Sequence, residues 1–173
     1  MIGSAPTVGL RPILMRMRMT IKTTLTTTEK SNSPWQYEGS EWQPPEEFSP
    51  DDAYGMVYMI TNRATSRKYV GKKFFWSQKT LPITKKRKRR KKTLVESDWR
   101  TYWGSNKHLV ADLETQGPDT FYREILHLCK AKGELSYMEA KEQFEREVLL
   151  TEEYYNGIIA CRIGGRTVKN LLK

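Results

Sequence analysis

Tyr54-Gly55-Met56-Val57-Tyr58-Met59-Ile60 is a short apolar run of β-forming residues and reads as a buried strand. Thr61 to Ser66 is polar turn material. Arg67-Lys68-Tyr69-Val70-Gly71-Lys72-Lys73 then reads as a second strand pairing back on the first. Tyr58 and Tyr69 stand eleven residues apart. Antiparallel pairing can bring both phenols to one face of a sheet. Tyrosine is also simply common in strands, so the residues alone leave a functional and a structural reading open.

Downstream, Ser97 and Asp98 are positioned to cap a short helix through Trp103. Gly104 breaks it, and Ser105 caps another through about Thr115, ended by Gly117-Pro118. From Thr120 to Leu128, Phe121, Arg123, Ile125 and His127 alternate with Tyr122, Glu124, Leu126 and Leu128, which predicts a third strand. Gly133 to Leu150 is rich in helix formers, with no internal Gly or Pro. Leu135, Met138 and Leu149 fall on one face and Tyr137, Phe144 and Val148 on another, which predicts a helix sandwiched between layers. The order β-β-α-β-α implies an α/β (α+β) sandwich with a small mixed sheet.

Upstream, residues 1–50 read as a flexible N-terminal extension, and residues 51–173 as the domain, with a basic insert at about 77–95. Met1 to Thr28 carries no acid and resembles a transit peptide in composition. A loose tail fits better, because its apolar residues form no helical stripe. Pro34, Pro44, Pro45 and Pro50 argue against a regular element in this region. Trp35, Tyr37 and Trp42 suggest that the arm nevertheless lies against the domain.

Of the 173 residues, 38% are hydrophobic and 29% charged, a soluble balance that allows one modest core. The net charge of +10 favours a polyanionic partner. No run approaches the ~18 apolar residues that span a bilayer, so no membrane partner is expected. Cys129 and Cys161 are too few for a disulfide framework or zinc site and read as reduced thiols of a cytosolic protein. His108 and His127 stand singly, without nearby cysteines.

Two features carry chemistry. Lys85-Lys86-Arg87-Lys88-Arg89-Arg90-Lys91-Lys92 is a run of cations that repel one another, so it should be disordered and solvated. Binding phosphates there releases counterions, the main drive of sequence-independent DNA binding. A solubilising loop or a localisation signal is the alternative. On the long helix, Glu139 and Glu142 both fall beside the Leu135–Met138 stripe, at the edge of a buried surface. Hard cations such as Mg²⁺ take oxygen donors and keep several waters, so one carboxylate plus substrate phosphate suffices. The helical geometry does not choose between the two glutamates.

Gly55-Met56-Val57-Tyr58, a ten-residue spacer and Tyr69-Val70-Gly71 resemble the motif pair that names the GIY-YIG nucleases, with Met56-Val57 standing where Gly-Ile would be. Trp99 to Ser105, Phe121 to Leu126, Glu134 to Glu139 and Tyr154-Tyr155-Asn156 extend the likeness to phage-type free-standing homing endonucleases over roughly 54–162. The resemblance implies a three-stranded sheet flanked by helices, and metal-dependent hydrolysis of double-stranded DNA in the cytoplasm of a host cell. It implies that Glu139, with Glu142 as fallback, holds one Mg²⁺ or Mn²⁺. It implies that Tyr58 and Tyr69 orient or deprotonate the attacking water, with Tyr58 the expected base and Lys72 or Lys73 the nearby cation. Arg100 is the expected phosphate ligand, with Lys72 or Lys73 sharing that role, and Asn156 is expected to support the site. Lys73 and the run Lys85 to Lys92 are expected to bind DNA. The competing readings are a catalytically inactive nucleic-acid-binding protein on the same fold, and a basic structural protein using only the cationic run. Pure binding would not need Tyr58, Tyr69, Glu139 and Asn156 together, which favours the nuclease.

Overall fold

The structure, a computed structural model, describes residues 33–83 and 88–172. Most of the expected N-terminal extension, and Lys85, Lys86 and Arg87, lie outside the described residues. Among the described residues, seven strands and two α-helices follow in the order β1 (Trp35–Tyr37), β2 (Ser40–Glu41), β3 (Gly55–Asn62), β4 (Lys68–Phe74), β5 (Trp76–Leu81), β6 (Lys91–Glu96), α1 (Lys107–Gln116), β7 (Phe121–Cys129) and α2 (Lys132–Glu145). The main sheet has the order β2-β1-β7-β3-β4, and β5 and β6 form a separate hairpin. No helix among the described residues is long and apolar enough to cross a membrane.

The apolar run at Met56 to Ile60 becomes β3, paired antiparallel with β4 on one side and β7 on the other. Both of its faces are covered, which is why it lacks alternation. On one face Met56, Tyr58 and Ile60 join Trp35, Phe75, Trp99, Leu109 and Ile125. On the other, Val57 meets Val70, Cys129, Leu135 and Val148 beneath α2.

The sheet has five strands, not the three expected, because the N-terminal arm joins it. β1 adds parallel to β7, and Trp35 is 3% exposed. Glu38 and Gly39, at φ 50° and 80°, make the two-residue turn into β2 that fits strand twist. The prolines flank these short strands and do not interrupt them, so their density did not exclude regular structure. Trp35, Tyr37, Trp42 and Phe48, all upstream of residue 51, therefore pack with the domain core.

Three local expectations also change. The register shift between Val57 and Tyr58 pairs Val57 with His127 and Tyr58 with Ile125, leaving Leu126 as an extra residue in β7. His127 thereby leaves the face of Phe121, Arg123 and Ile125 and meets α2 instead. Asn106, not Ser105, caps α1 by accepting from the backbone of His108 and Leu109. α2 stops at Glu145, and Phe144 is 61% exposed, so the helix buries one face and is not sandwiched.

The basic insert is not wholly irregular. Its ends pair as a hairpin from Trp76↔Glu96 to Leu81↔Lys91.

Candidate active site

β4 is the outer strand of the main sheet, so one row of its backbone groups needs other partners. The segment after α2 supplies them. Lys68 N–H donates to Glu153 O at 2.8 Å, and Tyr155 N–H donates to Lys68 O at 2.8 Å. The Asn156 side chain continues the ladder. Its Oδ1 accepts from Val70 N at 3.0 Å, and its Nδ2 donates to Val70 O at 2.8 Å. Gln143 Nε2 donates to the same carbonyl at 3.1 Å. Tyr155 anchors the segment: its hydroxyl donates to Asp112 at 2.7 Å and accepts from Asn62, while its carbonyl accepts from Asn106 Nδ2 at 2.6 Å.

Along β4 the side chains alternate. Tyr69 and Gly71 face the aromatic layer, whereas Val70 and Lys72 face α2. An open cleft of about 570 Å³ at this edge collects Tyr69, Lys72, Glu139 and Asn156, together with Ser105, Asn106 and Gln143. Four of the six expected catalytic residues therefore meet in one place. Lys72 Nζ donates to Glu139 Oε2 at 2.6 Å and to Ser136 Oγ at 3.4 Å.

The two glutamates are separated by their partners. Glu139 lines the cleft, whereas Glu142 is bonded to His127 Nε2 at 2.7 Å and to Arg146 at 2.6 Å. Both carboxylates are thus ion-paired, Glu139 with Lys72 at the cleft and Glu142 outside it. No group of three or more His, Cys, Asp and Glu residues suited to a metal occurs among the described residues, and Glu139 is the carboxylate that lines the cleft.

Tyr58 lies behind the cleft and not in it. It is 1% exposed, with its ring 6.1 Å from that of Tyr69. Burial pushes its hydroxyl well above the ordinary tyrosine pKa, and neighbouring Tyr69, Tyr102 and Glu139 add to the rise. Burial also raises Tyr69, and hydrogen bonds from Ser105 and Tyr58 only partly offset this.

The remaining expected residues stand elsewhere. Arg100 does not line the cleft; its Nε donates to Glu96 at 3.0 Å and its guanidinium covers Trp99 at 4.4 Å, beside the hairpin base. Lys73 pairs with Asp98 at 2.7 Å and sits 3.7 Å over the Tyr102 ring. Lys88 to Lys92 are exposed on the hairpin. Sequence reasoning missed Asn106 and Gln143. Gln143 was visible in principle, since it lies one helical turn from Glu139 on the same face. Asn106 was hidden by the neighbouring Ser105, an equally good cap.

A family model described as "Putative endonuclease segE, GIY-YIG domain" matches residues 35–159. The match starts at Trp35, the first residue of β1, so it includes the arm that completes the sheet. No curated protein and no solved structure matches the chain. The model covers well over half of the chain, and the motif tyrosines, Glu139 and Asn156 fall inside it: the chain belongs to the GIY-YIG endonuclease family, whose substrate is nucleic acid.

Proposed function

We propose that this chain is a divalent-metal-dependent endodeoxyribonuclease that hydrolyses phosphodiester bonds of double-stranded DNA. The observation that carries this reading is the convergence of Tyr69, Lys72, Glu139 and Asn156 on one open cleft. The donor set suits a hard cation: a single carboxylate among oxygen and amide groups, open to solvent and to substrate phosphate. Mg²⁺ or Mn²⁺ bound to Glu139 would neutralise charge on the scissile phosphate and the leaving oxygen. Lys72 holds Glu139 in one orientation, and its ammonium group has a third N–H for a phosphate oxygen. Tyr69 lines the cleft and would orient the attacking water, while Tyr58 braces Tyr69 from behind. Both phenols keep their protons near neutral pH, so the base role expected of Tyr58 does not suit its burial. Asn156 fixes the edge of β4 and so the spacing of Tyr69 and Lys72. The likeness to phage-type homing enzymes makes homing the proposed role, in the cytoplasm of the host cell.

The test is nicking of supercoiled plasmid with Mg²⁺, with EDTA, and by Glu139→Gln. We expect nicking that EDTA abolishes and that the variant lowers by more than about 100-fold, beyond the usual loss from an outer-shell change. Equal cleavage by Glu139→Gln would overturn the assignment. Plasmid that is bound but never nicked by the wild type would favour the binding-only alternative.

A further inference from the structure

We propose that the β5–β6 hairpin is a ribbon arm that lies in the major groove of duplex DNA beside the cleft. The inference rests on the nuclease reading above for its partner, and on its own observations for its geometry.

The charge distribution comes first. Residues 77–95 hold nine Lys and Arg and no Asp or Glu, which leaves 21 basic and 20 acidic residues in the rest of the chain. Nearly the whole net charge of +10 therefore sits on this one insert. A general solubilising surface would spread its cations; here they are concentrated on one projection.

Shape comes second. Six cross-strand pairs hold the hairpin as a regular ribbon about 20 Å long at ~3.3 Å per residue. Ser77 to Thr80 and Leu94 to Glu96 are exposed, so neither face of the ribbon is covered by a third layer. A two-stranded ribbon alone is only marginally stable in water. Its base is held: Trp76 Nε1 donates to Ala53 O at 2.9 Å, Ser97 Oγ donates to Phe74 O at 2.6 Å, and Trp99 Nε1 donates to Glu96 at 2.7 Å. Beyond the base it projects with Lys79, Lys88, Arg89, Arg90, Lys91 and Lys92 exposed.

A two-stranded ribbon matches one nucleic-acid feature well. The major groove of B-form DNA, about 12 Å wide, admits such a ribbon, whereas that of A-form RNA is too deep and narrow. The cations reach the flanking phosphates, and Gln78 and Thr80, which share one face of β5, carry polar groups toward base edges. β5 begins two residues after β4 ends, with Phe75 between them. From Lys72 to Leu81 the chain spans at most about 30 Å, less than the ~34 Å of one DNA turn. The contacted groove thus lies within a turn of the bond in the cleft.

The experiment uses full-length Glu139→Gln protein and a labelled DNA duplex. Methyl green, a major-groove ligand, should displace the protein; netropsin, a minor-groove ligand, should not; and duplex RNA should compete poorly. Replacing Arg89, Arg90, Lys91 and Lys92 with Ser should lower the slope of log affinity against log salt by about 3 to 4, at ~0.9 per phosphate contact. Thr80→Pro with Thr93→Pro keeps every cation but breaks the ladder, and should lose the preference for DNA over RNA. Displacement by netropsin alone, equal competition by RNA, an unchanged salt slope, or an intact preference in the proline variant would each overturn the ribbon assignment. Plasmid nicking by the wild type is scored separately. Nicking without these groove effects sinks the ribbon alone, and groove effects without nicking sink the nuclease reading alone.

Discussion

Gly71 shows why the second motif ends in glycine. A Cβ built there would lie 2.7 Å from Tyr58 Oη and 2.9 Å from both Tyr58 Cζ and Tyr69 Cε1. The motif residues are thus one packed unit, with the Tyr58 hydroxyl lying over the bare backbone of Gly71. We expect Gly71→Ala to displace Tyr69, to cost about 1–3 kcal/mol as overpacking, and to suppress nicking. Urea denaturation and the plasmid assay read the two effects, and wild-type values in both would refute the packing argument. Gly104 complements it from the other side: it takes φ +91°, and its Cβ would press on Tyr69 at 3.2 Å. Glu139 and Glu142 make the opposite point. Equivalent on a helical wheel, they are distinguished only by Lys72 and by His127 with Arg146.

At the scale of elements, the arm is part of the core. Trp35 packs edge-on against Tyr58 at 5.4 Å, and its Nε1 donates to Trp99 O at 3.1 Å. Arg123 ties the arm to the loop before α1. Its guanidinium lies between Trp35 and Trp103, at 4.6 and 4.3 Å, and donates to the carbonyls of Ser33, Arg100 and Tyr102. Burial lowers its pKa to about 10, which leaves it protonated at neutral pH. Trp35→Ala should lower the unfolding free energy by about 3–5 kcal/mol, the usual cost of truncating a buried tryptophan. A change within about 0.5 kcal/mol, typical of surface sites, would show that the arm is peripheral.

For the whole molecule, the layered core sets an alkaline limit. Tyr58 and Tyr69 hold their protons more tightly folded than unfolded, because burial disfavours the phenolates. The folded chain therefore binds more protons above the ordinary tyrosine pKa, and stability falls as pH rises there. We expect this contribution to be complete below about pH 10 and to be lost progressively above it. Urea midpoints across that range should decline less steeply in Tyr58→Phe, and an identical decline would remove Tyr58 as the cause.

The β3–β4 pair, β7, the two helices and the glutamate-bearing face were legible in the sequence, because strand alternation, helix formers and caps act over a few neighbouring residues. So was the excess of cations in the insert. The five-stranded sheet was not, since Trp35 to Tyr37 acquires strand geometry only by pairing with β7, far along the chain. The bulge that turns His127 toward α2 was hidden for the same reason: register is a property of two strands together. Likewise only the tertiary structure placed Tyr69, Lys72, Glu139 and Asn156 in one cleft, set Tyr58 behind it and took Glu142 and Arg100 away. A sequence determines which groups are available; which of them share a site depends on contacts between residues distant in the chain.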